Sequence, residues 1–336
     1  MKKIIKNWKH FPGVHCGSVA LRDVMHYYDH NISEEVCFGL GGGLGFYYSD
    51  SAESPSRTIH VRGPWMEPGF LRHYGYKLND WKYEENADIA HNFLVESINN
   101  DIPVLIQTDI FYLDYYESNT HFPGHIVVVC GYDDSEELFF LSDTSFPEIQ
   151  QVSFQNMKLA RNSKFQPYPL SNNFIDVYPG GSSTDIKEAA KRAIVMNAEY
   201  MLNGTETIRG KSGLSVLNQW AKELPGWKSL EDRKWCSRFA YQVISKRGVD
   251  GAAFRWMYRD FLKEVSSELP FIDKNSLIDL MHNAGKYWYD LSMLLKQISE
   301  TESITDEFKK ASDIVSEIFK LEKKFYGSAV ELGDNS

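Results

Sequence analysis

The stretch GHIVVVCGYDDSEELFFLSD, residues 124–143, contains two apolar runs separated by a polar segment near Asp134. Runs of β-branched and aromatic residues around Gly, Asp and Ser are typical of a β-hairpin. If the hairpin is symmetric about Asp134, His125 lies nine residues before its centre and Asp143 nine residues after it. The two would then be cross-strand partners with Cβ atoms about 5 Å apart. A turn of odd length would slip the register by one residue and reverse the facing.

The stretch FPGVHCGSVALRDVM, residues 11–25, places Cys16 before apolar residues spaced by three and four. This spacing predicts a helix over about 16–29. Cys16 is therefore either a nucleophile at a helix N-terminus or a small buried hydrophobe.

The nucleophile needs a basic partner. A free thiol has a pKa of about 8.5, and lowering that value to 7 takes about 2 kcal/mol. A helix N-terminus supplies only about 0.3–1 kcal/mol. An imidazolium beside the thiolate closes the gap, so we predict an ion pair between Cys16 and His125, oriented by Asp143. Taken singly, His125 and Asp143 have plain structural interpretations, as a strand-end histidine and a turn-forming aspartate.

The remaining histidines and cysteines offer weaker candidates. His10, six residues before Cys16, is a candidate oxyanion donor together with the backbone N–H of Cys16. His15 adjoins Cys16, and chain neighbours usually point apart, while His121 lines the loop before His125. Cys130 has the surroundings of a core residue, and neither Cys37 nor Cys236 has a base at a suggestive spacing. No histidine spacing fits a metal site, so no metal and no cofactor is predicted.

The segment FGLGGGLGF, residues 38–46, is rich in glycine but fits no phosphate-binding motif. Neither G-x-G-x-x-G nor Gly-Lys-Ser/Thr is present. Two interpretations stay open: a tight connection whose glycines permit close backbone approach, or a loop that lines a substrate cleft. The second makes Gly41, Gly43, Phe46 and Tyr47 candidate cleft residues.

Composition and patterning limit the class of protein. The formal net charge of −10 argues against a general binder of nucleic acid. Four widely spaced cysteines fit a reducing cytoplasm, and no apolar run approaches the ~20 residues of a membrane span. The character of the chain changes at YPGGSSTD, residues 178–185, from mixed strands and helices to helices alone. Two domains are expected, residues 1–180 and 181–336, and nothing indicates an oligomeric state.

Several of these motifs together resemble a known family. HCGSVALRDVM (15–25), SEEVCFGLGGGLGFYY (33–48) and GHIVVVCGYDD (124–134) resemble the N-terminal domain of the BtrH family, whose name-giving member is an acyltransferase of butirosin biosynthesis. GLSVLNQWAKELPGW (213–227) and AFRWMYRDFLKEV (253–265) resemble the C-terminal domain found with it. The resemblance implies an α+β fold: a papain-like cysteine-peptidase core with an antiparallel sheet, followed by a mostly α-helical domain.

The same resemblance implies an activity, a cysteine-dependent transfer of an acyl group from a carrier-protein thioester to a small-molecule amine. Cys16 would be the nucleophile, His125 the base and Asp143 the orienter. Papain-like enzymes often place a Gln before the nucleophile as oxyanion donor, whereas His10 stands at the comparable position here. Two alternatives stay open: a cysteine hydrolase or peptidase with the same triad, and a non-catalytic binding protein with the same fold.

The donor partner is implied by the resemblance alone, and a coenzyme A ester is an alternative donor. Carrier proteins tend to be acidic, so their docking surface is expected to be basic. Such a surface is offered by the cations in and beside one predicted helix: Arg233, Lys234, Arg238, Lys246 and Arg247. A solvated helix face is the ordinary explanation of such charges.

Overall fold

A computed structural model of the chain describes residues 1–76, 80–166, 168–178, 185–207, 210–249 and 251–333. The described strands are β1 (Lys2–Ile4), β2 (Leu44–Asp50), β3 (Arg57–Arg62), β4 (Val104–Thr108), β5 (His125–Asp133), β6 (Leu138–Ser142), β7 (Gln150–Ser153), β8 (Phe174–Asp176), β9 (Glu206–Thr207) and β10 (Gly210–Ser212). The described α-helices are α1 (Cys16–Tyr27), α2 (Glu34–Leu40), α3 (Met66–His73), α4 (Ala87–Asn99), α5 (Phe154–Arg161), α6 (Ile186–Asn203), α7 (Leu214–Glu223), α8 (Arg233–Tyr241), α9 (Arg255–Val265), α10 (Phe271–Lys274), α11 (Leu277–Glu300) and α12 (Glu307–Val330).

The chain forms two compact units with antiparallel sheets, an α+β architecture. The first comprises Met1–Cys37 and Gly75–Ser182, and the second comprises Phe38–Tyr74 and Ser183–Ser336. The sequence-based division at residue 180 placed residues 38–74 in the first domain, whereas they pack within the second unit. The reason is strand pairing: β2, from this segment, pairs with β3 and also with β10, which lies far along the chain.

The first unit is built on an antiparallel sheet in the order β7–β6–β5–β4–β8, and β1 also pairs with β5. All nine residues of β5 are buried, which explains its unbroken apolar run. One face of the sheet packs against α4 and α5 through a shared apolar core that includes Leu94, Val127, Leu141 and Met157. His125, a candidate site residue, is the first residue of β5.

The predicted hairpin is present as β5 and β6, but its register differs from the symmetric one. Val128 pairs with Ser142, Val129 with Leu141 and Gly131 with Phe140, so Cys130 is an extra residue that forms a β-bulge. Continued by one residue, this ladder puts Asp143 opposite Val127, two positions from His125. Because side chains alternate with a period of two, Asp143 and His125 still share one face.

The bulge at Cys130 determines whether Asp143 and His125 lie on the same face of the hairpin. Without the extra residue at Cys130, the register near the turn would carry on and put Asp143 opposite Val128. Asp143 and His125 would then lie on opposite faces of the hairpin. Bulges next to functional sites commonly re-aim a side chain in this way.

The second unit is mostly helical beyond its four-stranded sheet, in the order β3–β2–β10–β9. The part of the chain after residue 185 is helical as expected, except for the short strands β9 and β10, and the long helices α11 and α12 pack against each other. At their centre the buried guanidinium of Arg255 pairs with Glu322, with 2.8 Å between Nε and Oε1, and lies over the Trp288 ring. None of the helices in the described ranges has the length and apolar character needed to span a membrane.

Candidate active site

Helix α1 begins at Cys16 because His15 caps it. His15 has extended backbone dihedrals, and its Nδ1 accepts a hydrogen bond from the Ser18 backbone N–H at 3.2 Å. Its carbonyl oxygen accepts the first helical bond, from Val19 at 2.9 Å. A side chain that accepts from the third helical N–H is what an N-cap requires. Cys16 therefore occupies the first helical position, where it is half-buried and forms no disulfide.

A buried carboxylate holds the turn just before the helix. Glu34, the first residue of α2, accepts the backbone N–H of His15 at 2.7 Å and that of Val14 at 3.2 Å. It also accepts the Ser18 hydroxyl at 3.2 Å. Gly13 makes room for this contact, since a Cβ there would lie 2.3 Å from Oε2 of Glu34.

Two backbone donors remain open at the start of α1. The N–H of Ser18 binds the His15 ring, while those of Cys16 and Gly17 donate to no acceptor within the part of the chain that the structure describes. The first N–H groups of a helix lack helical partners and carry partial positive charge. An oxygen that gains negative charge beside the Cys16 sulfur would find both donors at this helix end.

His125 is held by a buried carboxylate. Its Nε2 lies 2.8 Å from Oδ1 of Asp143, and both side chains are almost fully buried. The Tyr115 hydroxyl donates to Oδ2 of Asp143 at 2.7 Å. The Tyr116 hydroxyl lies 3.3 Å from Oδ1 and 3.1 Å from Nε2 of His125. The carboxylate thus fixes the imidazole ring, and two tyrosines fix the carboxylate.

The charges in this cluster support one another. Burial lowers the pKa of His125, but the Asp143 carboxylate and then the Cys16 side chain, each as charge and hydrogen-bond partner, raise it to about 10. Burial raises the pKa of Asp143, yet the charge and hydrogen bond of His125 and the Tyr115 hydroxyl bring it below its ordinary value. Burial and Asp143 raise the pKa values of Tyr115 and Tyr116, so both hydroxyls stay protonated donors. The side chains of Cys16, His125 and Asp143 therefore interact as one cluster.

His10 is not available as an oxyanion donor, which corrects the sequence-based expectation. Its Nδ1 lies 2.5 Å from Oδ2 of Asp23, and its Nε2 lies 2.8 Å from the carbonyl oxygen of Phe146. With both ring nitrogens bound, the ring ties the N-terminal segment to α1 and to the loop after Asp143. The Gly13 N–H strengthens the same tie, donating to the Thr144 carbonyl at 2.8 Å.

His121 makes a separate set of contacts, which secure the loop before β5. Its Nδ1 lies 2.7 Å from Oδ2 of the buried Asp109, which also accepts the Ser163 hydroxyl. The ring stacks between Phe111 and Phe165, with centroids 4.0 and 4.3 Å away. This arrangement fits the expectation that His121 lines the loop.

The other cysteines and possible metal ligands form no comparable site. Cys37, Cys130 and Cys236 are buried, and burial raises the pKa of each thiol. Within the described ranges, no group of three His, Cys, Asp or Glu side chains has a geometry that could hold a metal ion.

The glycine-rich segment is packed core, so the prediction of cleft residues there is contradicted. Helix α2 continues to Leu40, and β2 starts at Leu44. A Cβ at Gly41 would lie 2.4 Å from the Met66 carbonyl oxygen, and one at Gly43 would lie 2.4 Å from the Phe38 ring. These glycines allow close packing within the second unit, as the alternative interpretation proposed.

The two aromatic cleft candidates are also core residues. Phe46 is fully buried against the rings of Trp220 and Trp288. Tyr47 is buried beside the ring of Tyr200.

Two of the five cations in and beside α8 pair with acidic neighbours. Lys234 pairs with the Glu302 carboxylate, Arg238 lies 3.3 Å from that of Glu300, and Arg233 donates to the Glu302 carbonyl at 2.7 Å. Arg247 lies over the ring of Phe239. These contacts favour the ordinary explanation, a helix face whose charges pair within the chain.

Sequence reasoning missed three residues of the site: Glu34, Tyr115 and Tyr116. Glu34 and Glu35 occupy the first turn of α2, where acidic residues are common at any helix start. The two tyrosines lie shortly after β4, in the second of two short 3₁₀ turns at Ile110–Tyr112 and Asp114–Tyr116. The run of aromatic residues from Phe111 to Tyr116 was the available signal, but nothing in it indicates contact with His125 or Asp143.

Comparison with known proteins agrees with the motifs. Residues 15–144 match the family model described as "Butirosin biosynthesis protein H, N-terminal". Residues 155–328 match the model described as "Domain of unknown function (DUF4872)". No curated protein matches the chain. Because the two domains follow each other and together span nearly the whole sequence, the chain belongs to the BtrH-like family.

Proposed function

We propose that the protein is a biosynthetic cysteine acyltransferase, which moves an acyl group from a thioester to an amine through an acyl-Cys16 intermediate. The observation that supports this most directly is the contact set at α1 and β5. A half-buried thiol at a helix N-terminus interacts with an imidazole, and a buried carboxylate holds that imidazole at 2.8 Å. The family of the N-terminal domain, named for a protein of butirosin biosynthesis, supports a biosynthetic role.

In the first step the Cys16 thiolate attacks the thioester carbonyl carbon, and the C=O π electrons move to oxygen. Nε2 of His125 is bound to Asp143, so Nδ1 is the nitrogen left to serve Cys16. When the tetrahedral intermediate collapses, the donor's C–S bond breaks and His125 gives its proton to the leaving thiolate. The products are an acyl-Cys16 thioester, a free donor thiol and a neutral imidazole.

In the second step the amine nitrogen attacks the acyl-Cys16 carbonyl, and neutral His125 takes a proton from that nitrogen. The bond between the carbonyl carbon and the Cys16 sulfur then breaks, which releases the amide and restores the thiolate and imidazolium. Asp143 stays ionised throughout and stabilises the charged ring, as the lowered pKa of its carboxyl favours.

Both steps develop negative charge on the carbonyl oxygen. The open N–H groups of Cys16 and Gly17 are the donors that fit this oxygen, because they lie at the positive end of α1 next to the sulfur. This assignment replaces His10 with a second backbone donor.

The wider features of the proposal follow the family resemblance. The first unit, with its cysteine helix and antiparallel sheet, is proposed to be a papain-like core, and the site lies within that unit. An acyl carrier protein is the proposed donor, and coenzyme A esters are the alternative. The paired charges on α8 make that helix a poor docking surface for an acidic carrier.

The test is the fate of an acyl thioester with and without amines. The protein and its Cys16→Ala variant are incubated with a short-chain acyl thioester and a panel of primary amines, and amide and free acid are quantified. We expect amide formation that depends on Cys16. Free acid formed at a rate that no amine changes would contradict the transferase and favour the hydrolase. No consumption of thioester would favour a binding protein.

A further inference from the structure

The Glu34 carboxylate accepts hydrogen bonds from the backbone segment that precedes Cys16. Oε1 accepts the His15 N–H at 2.7 Å and the Ser18 hydroxyl at 3.2 Å, and the Val14 N–H lies 3.2 Å from both oxygens. The side chain is 8 % exposed, so few water molecules can replace these bonds. Two consecutive N–H groups and a hydroxyl from the first turn of α1 thus converge on one buried anion.

The consequence for the site is geometric. A carboxylate that binds the N–H groups of Val14 and His15 fixes the peptide planes just before Cys16. The next two N–H groups, those of Cys16 and Gly17, then emerge at the helix end without a protein acceptor among the described residues. Backbone donors contribute most to catalysis when they are held in place before the reaction begins.

We propose that Glu34 is a positioning residue, which holds the turn so that the N–H groups of Cys16 and Gly17 meet the developing oxyanion. This inference rests on the proposed acyl-transfer function and deepens it. Glu34 touches neither the sulfur nor the acyl group, and it acts through the backbone of Val14 and His15.

The charge of Glu34 provides a way to separate this role from others. The groups that face its carboxylate are Arg22, with 3.8 Å between Nη1 and Oε2, the neighbouring Glu35 and the buried Cys37. A negative charge near Cys16 disfavours the thiolate, so Glu34 is not an activator of the nucleophile. Removing the charge should therefore leave the Cys16 thiolate at least as reactive while the acyl-transfer step becomes slower.

The experiment compares Glu34→Gln and Glu34→Ala with Glu35→Gln, a matched control on the same helix turn that removes the same charge. In Glu34→Gln the amide oxygen can keep the His15 contact, but the amide nitrogen presents a donor to the Val14 N–H. Three measurements are made on each protein: the single-turnover rate of Cys16 acylation by an acyl thioester, the rate of iodoacetamide alkylation of Cys16, and hydrogen exchange of the Val14 and His15 amides.

We expect acylation to fall about 10-fold in Glu34→Gln and about 100-fold in Glu34→Ala, the scale of losing an oxyanion donor. Alkylation should stay within about 3-fold of the native rate or rise, and the two amides should exchange at least about 10-fold faster. Glu35→Gln should match the native protein within about 2-fold in all three measurements.

The outcomes separate this inference from the proposed function. If the native protein is acylated and Glu34→Gln is acylated equally fast, the positioning role is wrong and the function stands. If acylation and alkylation fall together, Glu34 acts on the thiol and the inference is again wrong. If the native protein is never acylated, the function fails, and exchange of the two amides then decides whether Glu34 holds the turn at all.

Discussion

Asp143→Asn tests the electrostatic coupling on which the site depends. The pKa of His125 is about 10, roughly 3.5 above the ordinary value of 6.5. At about 1.4 kcal/mol per pKa unit, this is a net stabilisation of the buried imidazolium by about 5 kcal/mol, after the opposing effect of burial. The charge and hydrogen bond of Asp143 are the two largest contributions that raise the pKa. We therefore assign about 2 kcal/mol or more of the effect to Asp143, and 2 kcal/mol is about a 30-fold change in an equilibrium.

The assay is the pH dependence of Cys16 alkylation by iodoacetamide. Without the Asp143 charge, proton transfer from the Cys16 thiol to the buried imidazole becomes less favourable by about 2 kcal/mol, so less of the protein holds the thiolate–imidazolium pair. At pH 6 we expect Asp143→Asn to be alkylated about 30-fold more slowly than the native protein. A thiol with the ordinary pKa of about 8.5 is mostly thiolate near pH 9.5, so the two rates should converge there within about 3-fold. Asp134→Asn, in the exposed turn of the same hairpin, is the matched control and should follow the native profile.

Stability gives a second measurement on the same variant. Because the folded pKa of His125 is raised, its contribution to stability is complete below about pH 6.5 and is lost as the pH rises through 10. Urea unfolding at pH 7 and pH 10 should show a larger loss of free energy in the native protein than in Asp143→Asn. Equal alkylation profiles together with equal losses would refute the coupling between Asp143 and His125.

Two further predictions concern packing. Gly13→Ala would place a Cβ 2.3 Å from the Glu34 carboxylate and should cost about 1–3 kcal/mol in urea unfolding, whereas Gly124→Ala, whose Cβ meets only a ring edge at 3.5 Å, should be near neutral. Equal costs for the two would contradict the crowding. Glu322→Leu leaves the buried guanidinium of Arg255 unpaired and should cost about 3–5 kcal/mol; a cost below about 1 kcal/mol would show that this ion pair does not support the helical unit.

Secondary-structure elements that depend on residues close together in the chain could be predicted from the sequence. The start of α1 at Cys16 followed from apolar spacing, and the hairpin followed from two apolar runs around a polar turn. The helices beyond residue 185 followed from the same periodicity. The predicted boundary at residues 178–185 falls on residues 179–184, which lie outside the described ranges.

Strand register and side-chain contacts between segments far apart in the chain could not be predicted from the sequence. The bulge at Cys130 depends on pairing between β5 and β6, so symmetry about Asp134 gave a register two residues away from the observed one. The even offset kept His125 and Asp143 on one face, although the argument for their pairing assumed a direct contact of opposite residues. His10 stands at a suitable spacing from Cys16, but its ring is held by Asp23 and the Phe146 carbonyl.

Glu34 illustrates a second limit. Its neighbour Ser33 accepts the Val36 N–H through its hydroxyl at 3.0 Å, as at many helix starts, and an acidic residue after such a cap is expected for the helix alone. Its contacts with Val14 and His15 arise only when α1 and α2 come together. The glycine-rich segment shows the same effect, because Gly41 and Gly43 are required by packing against Met66 and Phe38.

The central claim is that Cys16 carries the acyl group, and rapid-quench mass spectrometry tests it directly. The protein is mixed with an excess of acyl thioester, quenched within one turnover, and digested to locate the added mass. The account predicts one acyl group on the peptide that contains Cys16, lost when an amine is added and absent from Cys16→Ala. An acyl group on another residue, or thioester turnover that Cys16→Ala leaves unchanged, would contradict it.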